Sequence, residues 1–228
     1  MSLTKIDSKG VYQPFFGYTV IGMLEDECLA SASNIENFIR TSSLNEFFAP
    51  LPANTYHMTL FNIYVVGGPE IPSVSKWLQN GNKIYSAHSW LPDEVLCNAN
   101  MAAFNYLKNK TSLKLTRSKF KFSKKSLGVL VELEDCEYKK VFDARVALSK
   151  IYEHQDSSLA NRNSLHITFA YGYKRQDNFS KQNMADLKIL EQMVNSAFQS
   201  VKLKIPELYL FNSMDNYVAF GDFCTSVY

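Results

Sequence analysis

The sequence predicts an α+β fold of mainly antiparallel sheet with helices packed outside it. Three observations carry that expectation. Short aromatic and β-branched runs recur between turn residues. Four longer stretches carry helix signals, most of them with apolar residues near a helical period. The order strand, helix, strand at the start returns in the second half with no literal sequence repeat, which suggests two pseudo-repeated lobes.

Residues 15–24, bounded by Pro14 and Glu25-Asp26-Glu27, read as the first strand. Leu29, Ala32, Ile35, Phe38 and Ile39 then space a helix over 27–40. A strand follows at about 55–65. Gly67-Gly68-Pro69 breaks the chain, and turn formers mixed with Trp77, Trp90 and Pro92 mark an irregular insertion at about 66–92. Pro92 or Asp93 can start a helix that runs to about Lys108, and a lysine-rich strand carries Leu113, Leu115, Phe120 and Phe122. Residues 127–133 form another strand, and 136–153, with Val141, Phe142, Val146, Leu148 and Ile151, another helix. A strand at 164–171, a turn at Asp177-Asn178 and a helix over 181–199 come next. Leu208–Phe211 and Tyr217–Phe220 flank Asp215-Asn216 as a terminal hairpin. At 46% hydrophobic and 14% aromatic, the 228 residues support a packed core, and a single domain over 1–228 is expected.

Two of these strands share one design. His57-Met58-Thr59 and His166-Ile167-Thr168 each place a histidine two residues before a threonine inside an apolar run, so imidazole and hydroxyl share a strand face. Two of the chain's four histidines fall in this setting, 109 residues apart; His88 and His154 sit in no comparable motif. Imidazole titrates near neutral pH, with an unperturbed pKa of about 6.5, so a pair divides naturally into base and acid. Which histidine takes which role is open at this point. Thr59 and Thr168 are candidates to hold the oxygens on which charge develops in a phosphoryl transition state.

The two His-x-Thr strands resemble the signature of the 2H phosphoesterase superfamily, and the resemblance runs from about Tyr12 to Phe220. Asp7-Ser8-Lys9-Gly10 and Pro14-Phe15-Phe16-Gly17-Tyr18-Thr19 look more narrowly like a branch with a longer chain. The resemblance implies a two-lobed, pseudo-symmetric fold whose sheets face a central cleft. It also implies a phosphodiesterase working without a metal, with His57 and His166 as general acid and base. The expected substrate is a 2′,3′-cyclic phosphate or a related 2′-linked phosphodiester of an RNA end or small nucleotide. Two other readings stand beside it: a non-catalytic protein that binds a nucleotide or RNA end, and an exonuclease that trims RNA 3′ ends.

Aromatic residues near the motifs offer faces for a base, at about 1–3 kcal/mol per stacked base. Tyr171 is taken to share the face of His166 and Thr168, and Tyr18 on the first strand is a second candidate substrate-binding residue. Arg162, beside the second motif, is a candidate phosphate guide. Arg117, Lys119, Lys121, Lys124 and Lys125 read as guides or as a charged strand edge that blocks unwanted pairing.

Lysine and arginine number 24 against 22 acidic residues, a balance that argues against a grip on long duplex nucleic acid. No third ligand accompanies either histidine motif, so no metal and no other cofactor is expected, and the absence of a Gly-Lys-Ser/Thr loop argues against ATP use. Cys28, Cys97, Cys136 and Cys224 form no Cys-x-x-Cys pair and read as reduced thiols. No signal-peptide pattern or 18-residue apolar run is present, so the expectation is a cytoplasmic, monomeric protein that does not enter a membrane.

Overall fold

The computed structural model describes residues 4–65, 112–151, 165–177 and 179–219. The expected insertion at 66–92, the helix to Lys108, Arg162, His88 and His154 lie outside them. Nine strands and three α-helices are described: β1 Gly17–Met23, α1 Asp26–Thr41, β2 Phe48–Pro50, β3 His57–Val65, β4 Ser112–Ser123, β5 Ser126–Leu133, α2 Asp135–Ile151, β6 His166–Gly172, α3 Lys181–Ala197, β7 Ser200–Lys204, β8 Glu207–Ser213 and β9 Asn216–Ala219.

The helices form where local chemistry favours them. Asp26 and Glu27 lie in the first turn of α1 and Arg40 in its last, each placed to complement the helix dipole. Ala32, Ile35 and Ile39 form its buried stripe. A capping box opens α3, in which Ser180 and Asn183 each satisfy the other's backbone N–H. α1 packs against α3, and α2 lies against β3 and β5.

The strands join in the order β7-β4-β5-β6-β3-β1-β8-β9, with β2 pairing β6 off this path. Every pairing is antiparallel. The α+β class holds and both halves of the chain contribute a motif strand. The expected two sheets, however, are one continuous sheet, because β3 and β6 are hydrogen-bonded neighbours at Met58 and Ile167. Both residues are fully buried in the core that the helices cover. Gly128 lets β5 close onto the other side of β6, since a Cβ there would stand 2.3 Å from the Ile167 carbonyl oxygen.

Two short strands have no counterpart in the sequence reading. The helix expected to reach Gln199 ends at Ala197, and the chain resumes at once as β7. Strand β2 spans only three residues. The charged-edge reading of the basic stretch fits half of β4: among the described residues β7 covers only Ser112–Thr116, leaving Arg117–Ser123 with one open side.

Candidate active site

The Met58–Ile167 pair decides the geometry of the site. One step of antiparallel register to either side sets His57 beside Thr168 and Thr59 beside His166, on the face opposite the core. Because β3 begins at His57 and β6 at His166, the two strands overlap only through their motif triplets. Each motif histidine therefore stands across from the other motif's threonine, in a local pseudo-twofold arrangement. All four side chains line one cavity of about 290 Å³.

The same duplication continues one residue further, through bulges. Against β1, the partner of Thr59 is Ile21 and that of Phe61 is Val20, so Leu60 is the extra residue of a bulge. On β6 the partners of Thr168 and Ala170 are Gly128 and Leu127, which makes Phe169 the equivalent extra residue. A bulge reverses the face of everything beyond it. Asn62 and Tyr171 thereby join the cavity wall, and Phe61 and Ala170 turn into the core. Tyr171 does line the cavity, but plain two-residue alternation would have put Ala170 there. Asn62 was not foreseen; its one signal was a polar residue inside an apolar run.

The polar groups are tied down. His57 Nδ1 lies 2.7 Å from the Thr55 carbonyl oxygen, which selects the tautomer that donates from Nδ1 and leaves Nε2 as a lone-pair acceptor. Its pKa falls to about 4, first because burial penalises the imidazolium, with the charges of His166 and Lys5 adding in the same direction against the Thr55 bond. Tyr217 packs edge-on against the ring, with centroids 4.8 Å apart. Tyr171 hydrogen-bonds Thr168, and burial raises its phenol pKa to about 12. Thr19 Oγ1 lies 3.1 Å from Asn62 Oδ1 and 3.1 Å from the Phe61 carbonyl oxygen.

Behind the wall, α2 contributes Arg145. This buried guanidinium donates from Nε to the Leu60 carbonyl at 2.9 Å and from Nη2 to the Thr59 carbonyl at 3.2 Å. Those are carbonyls of the bulge, where ladder pairing is interrupted. Arg145 was invisible in the sequence reading because its partners are backbone atoms 85 and 86 residues away.

A family model named 2H-phosphodiest and described as a domain of unknown function (DUF1868) matches residues 5–66, which include the first motif. The chain is also 37% identical over 232 residues to uncharacterized protein 127L of Invertebrate iridescent virus 6, covering 97% of this chain and 96% of that protein. The chain belongs to the 2H phosphoesterase superfamily. The fold of this chain is shared with the conserved protein of unknown function ATU0111 from Agrobacterium tumefaciens str. C58. That likeness has a TM-score of 0.66 at 14% identity, over 95% of this chain and 89% of that one. A looser likeness, TM-score 0.42 at 12% identity over 92% of this chain and 97% of that one, links it to Kluyveromyces marxianus Usb1 solved with uridine monophosphate.

Among the other candidate residues, Tyr18 does not reach the cavity. It is fully buried, with its ring edge-on to Phe16 at 5.3 Å, because β1 turns Tyr18 and Val20 into the core and Thr19 outward. None of the basic side chains of β4 lines the cavity; Arg117 instead donates to Asn195 at 2.7 Å. Among the described residues no three His, Cys, Asp or Glu side chains are grouped to hold a metal ion, and no helix is long and apolar enough to cross a membrane.

Proposed function

We propose that the protein is a phosphodiesterase that opens a 2′,3′-cyclic phosphate, or a related 2′-linked phosphodiester, of an RNA end or small nucleotide, using two histidines and no metal ion. The observation that carries this reading is the pairing of His57 with Thr168 and of Thr59 with His166 around the Met58–Ile167 bridge. A phosphorus seated between the strands has an imidazole and a hydroxyl on either side. His57, neutral and with Nε2 open, takes the proton from the attacking water; His166 gives a proton to the departing ribose oxygen. Thr59 and Thr168 hold the non-bridging oxygens as charge builds on them. The cavity suits one nucleotide better than a duplex, and Tyr171 and Tyr217 offer ring surface beside the phosphate position.

The test is turnover of a panel of 2′,3′-cyclic nucleotides, cyclic-phosphate-ended RNA and 2′,5′-linked oligoadenylate in EDTA. Turnover of at least one class, unchanged by the chelator, is expected. Binding of the panel without turnover would overturn the enzymatic reading, and loss of turnover in EDTA would overturn the metal-free one. Thr59→Val and Thr168→Val are expected to lower kcat roughly 100- to 1000-fold each with the fold intact, measured by steady-state kinetics on the best substrate of the panel.

A further inference from the structure

We propose that Lys5 is a phosphate ligand of this cavity, presented by the N-terminal segment to a non-bridging oxygen of the bound phosphodiester. This rests on the phosphodiesterase reading for the identity of the anion; that the position binds phosphate is tested separately.

Among the described residues lining the cavity, Lys5 is the one lysine or arginine, and no aspartate or glutamate lines it. Its ammonium lies 5.3 Å from the Phe15 ring centroid and 5.1 Å from that of Tyr171. Aromatic faces attract a cation but do not neutralise it. Among the described residues, no carboxylate pairs with Lys5. A positive charge held beside two imidazoles, with two ring faces in place of a counter-ion, leaves the cavity complementary to an anion. Packing around the ammonium lowers the Lys5 pKa, and Lys5 in turn helps keep His57 neutral.

The segment that carries Lys5 is a built turn. The Lys5 carbonyl accepts from the Gln13 N–H at 3.1 Å, and Ile6 bridges Tyr12. Inside the turn, Asp7 Oδ1 accepts from the N–H groups of Lys9 and Val11 at 2.8 and 2.9 Å, while Gln13 Nε2 donates to Asp7 Oδ2 at 3.2 Å. Gly10 supplies the left-handed corner at φ +83°, and a Cβ there would press on the Tyr173 ring at 3.1 Å. Tyr12 pins the turn to the sheet: its hydroxyl donates to the Ala49 carbonyl at 2.8 Å and its ring meets Tyr171 edge-on.

The turn's anchors on the sheet, Ala49 and Tyr171, lie on the β2–β6 side, while the other ring beside the ammonium, Phe15, precedes β1 and donates its N–H to Asn212 of β8. The motif strands are near-equivalent in register, His57-Thr59-Asn62 against His166-Thr168-Tyr171, and in the proposed mechanism they differ chiefly in which imidazole is neutral, a state that Lys5 itself favours at His57. Lys5 has no counterpart over Asn62 among the described residues, and its charge fixes which way the phosphate lies.

The experiment measures binding of inorganic phosphate and of cytidine 2′-monophosphate by the full chain, together with Tm and, on the turned-over substrate, kcat/KM. Lys5→Met is expected to weaken both ligands at least tenfold, to lower kcat/KM by a similar or larger factor, and to leave Tm unchanged or raised. Lys5→Arg recovers part of the affinity. Asp7→Ala, which undoes the turn, reproduces the loss with Lys5 still present, and Asp7→Asn, which keeps an acceptor, restores most of it. Unchanged phosphate affinity in Lys5→Met, or a wild type that binds neither ligand, overturns the proposal. A wild type that turns over nothing on the panel, yet loses phosphate on Lys5→Met, leaves Lys5 as a phosphate ligand and removes only the enzymatic reading.

Discussion

His57→Ala and His166→Ala are each expected to reduce kcat by about a hundred- to ten-thousandfold, the range that a positioned acid or base contributes. The two losses should fall short of adding in the double variant, because in the proposed mechanism the imidazoles act as one unit on one phosphate. The pH profile separates their roles. A base whose pKa is lowered to about 4 stays competent well below pH 6, so the acid limb of kcat/KM is expected near pH 4, and a limb near 6.5 would assign the base role elsewhere. The same burial leaves a mark on stability. His57 has a lower pKa in the folded chain than the ordinary 6.5, so its contribution is fully present above about pH 6.5 and is lost as pH falls toward 4. The loss is on the order of 2–3 kcal/mol. Denaturant midpoints measured from pH 7 to pH 4 should therefore fall less steeply in His57→Ala than in the wild type. Parallel curves would mean that His57 carries no such penalty.

Arg145→Met is expected to destabilise the protein by roughly 2–5 kcal/mol, since two bulge carbonyls lose their donor and each unsatisfied buried group costs about 1–3 kcal/mol. Activity should fall further than stability predicts. The carbonyls belong to Thr59 and to the bulge residue that turns Asn62 into the cavity, and a displacement of about 1 Å at a reacting group can cost a hundredfold in rate. Arg145→Lys keeps a buried charge but cannot reach two carbonyls with one rigid fork, so it should rescue little. Urea denaturation and kcat at a temperature where the variant is fully folded check the two parts. A variant that is destabilised yet fully active would make Arg145 a purely structural residue.

That two imidazoles and two hydroxyls pair off along two strands, and most of the element order, were legible in the sequence, because both are local properties. An imidazole and a hydroxyl two residues apart share a face of any regular strand, and the apolar stripe of α1 reads directly from its spacing. Where a local rule was broken or a partner was distant, the sequence carried no signal. Strict alternation misplaces Tyr171 and Phe61 because Phe169 and Leu60 are bulge residues, and a bulge leaves no composition signature of its own. Tyr18 was one aromatic among several on β1, and only packing against Phe16 shows that its side of the strand is the core. β7 follows α3 within a few residues, too closely for either period to mark the boundary.

Which side chains are candidates for acid and base was settled along the chain, for that depends on side-chain type and two-residue spacing. Tertiary structure alone decided that the motifs meet across Met58 and Ile167, that Arg145 fastens the bulge of β3, and that Lys5 arrives over Tyr171. Those contacts join residues that are far apart in the chain, and no short-range preference specifies them. They exist because burying the opposite face of β3 and β6 in one core leaves a single register in which both motif strands keep their apolar residues out of water.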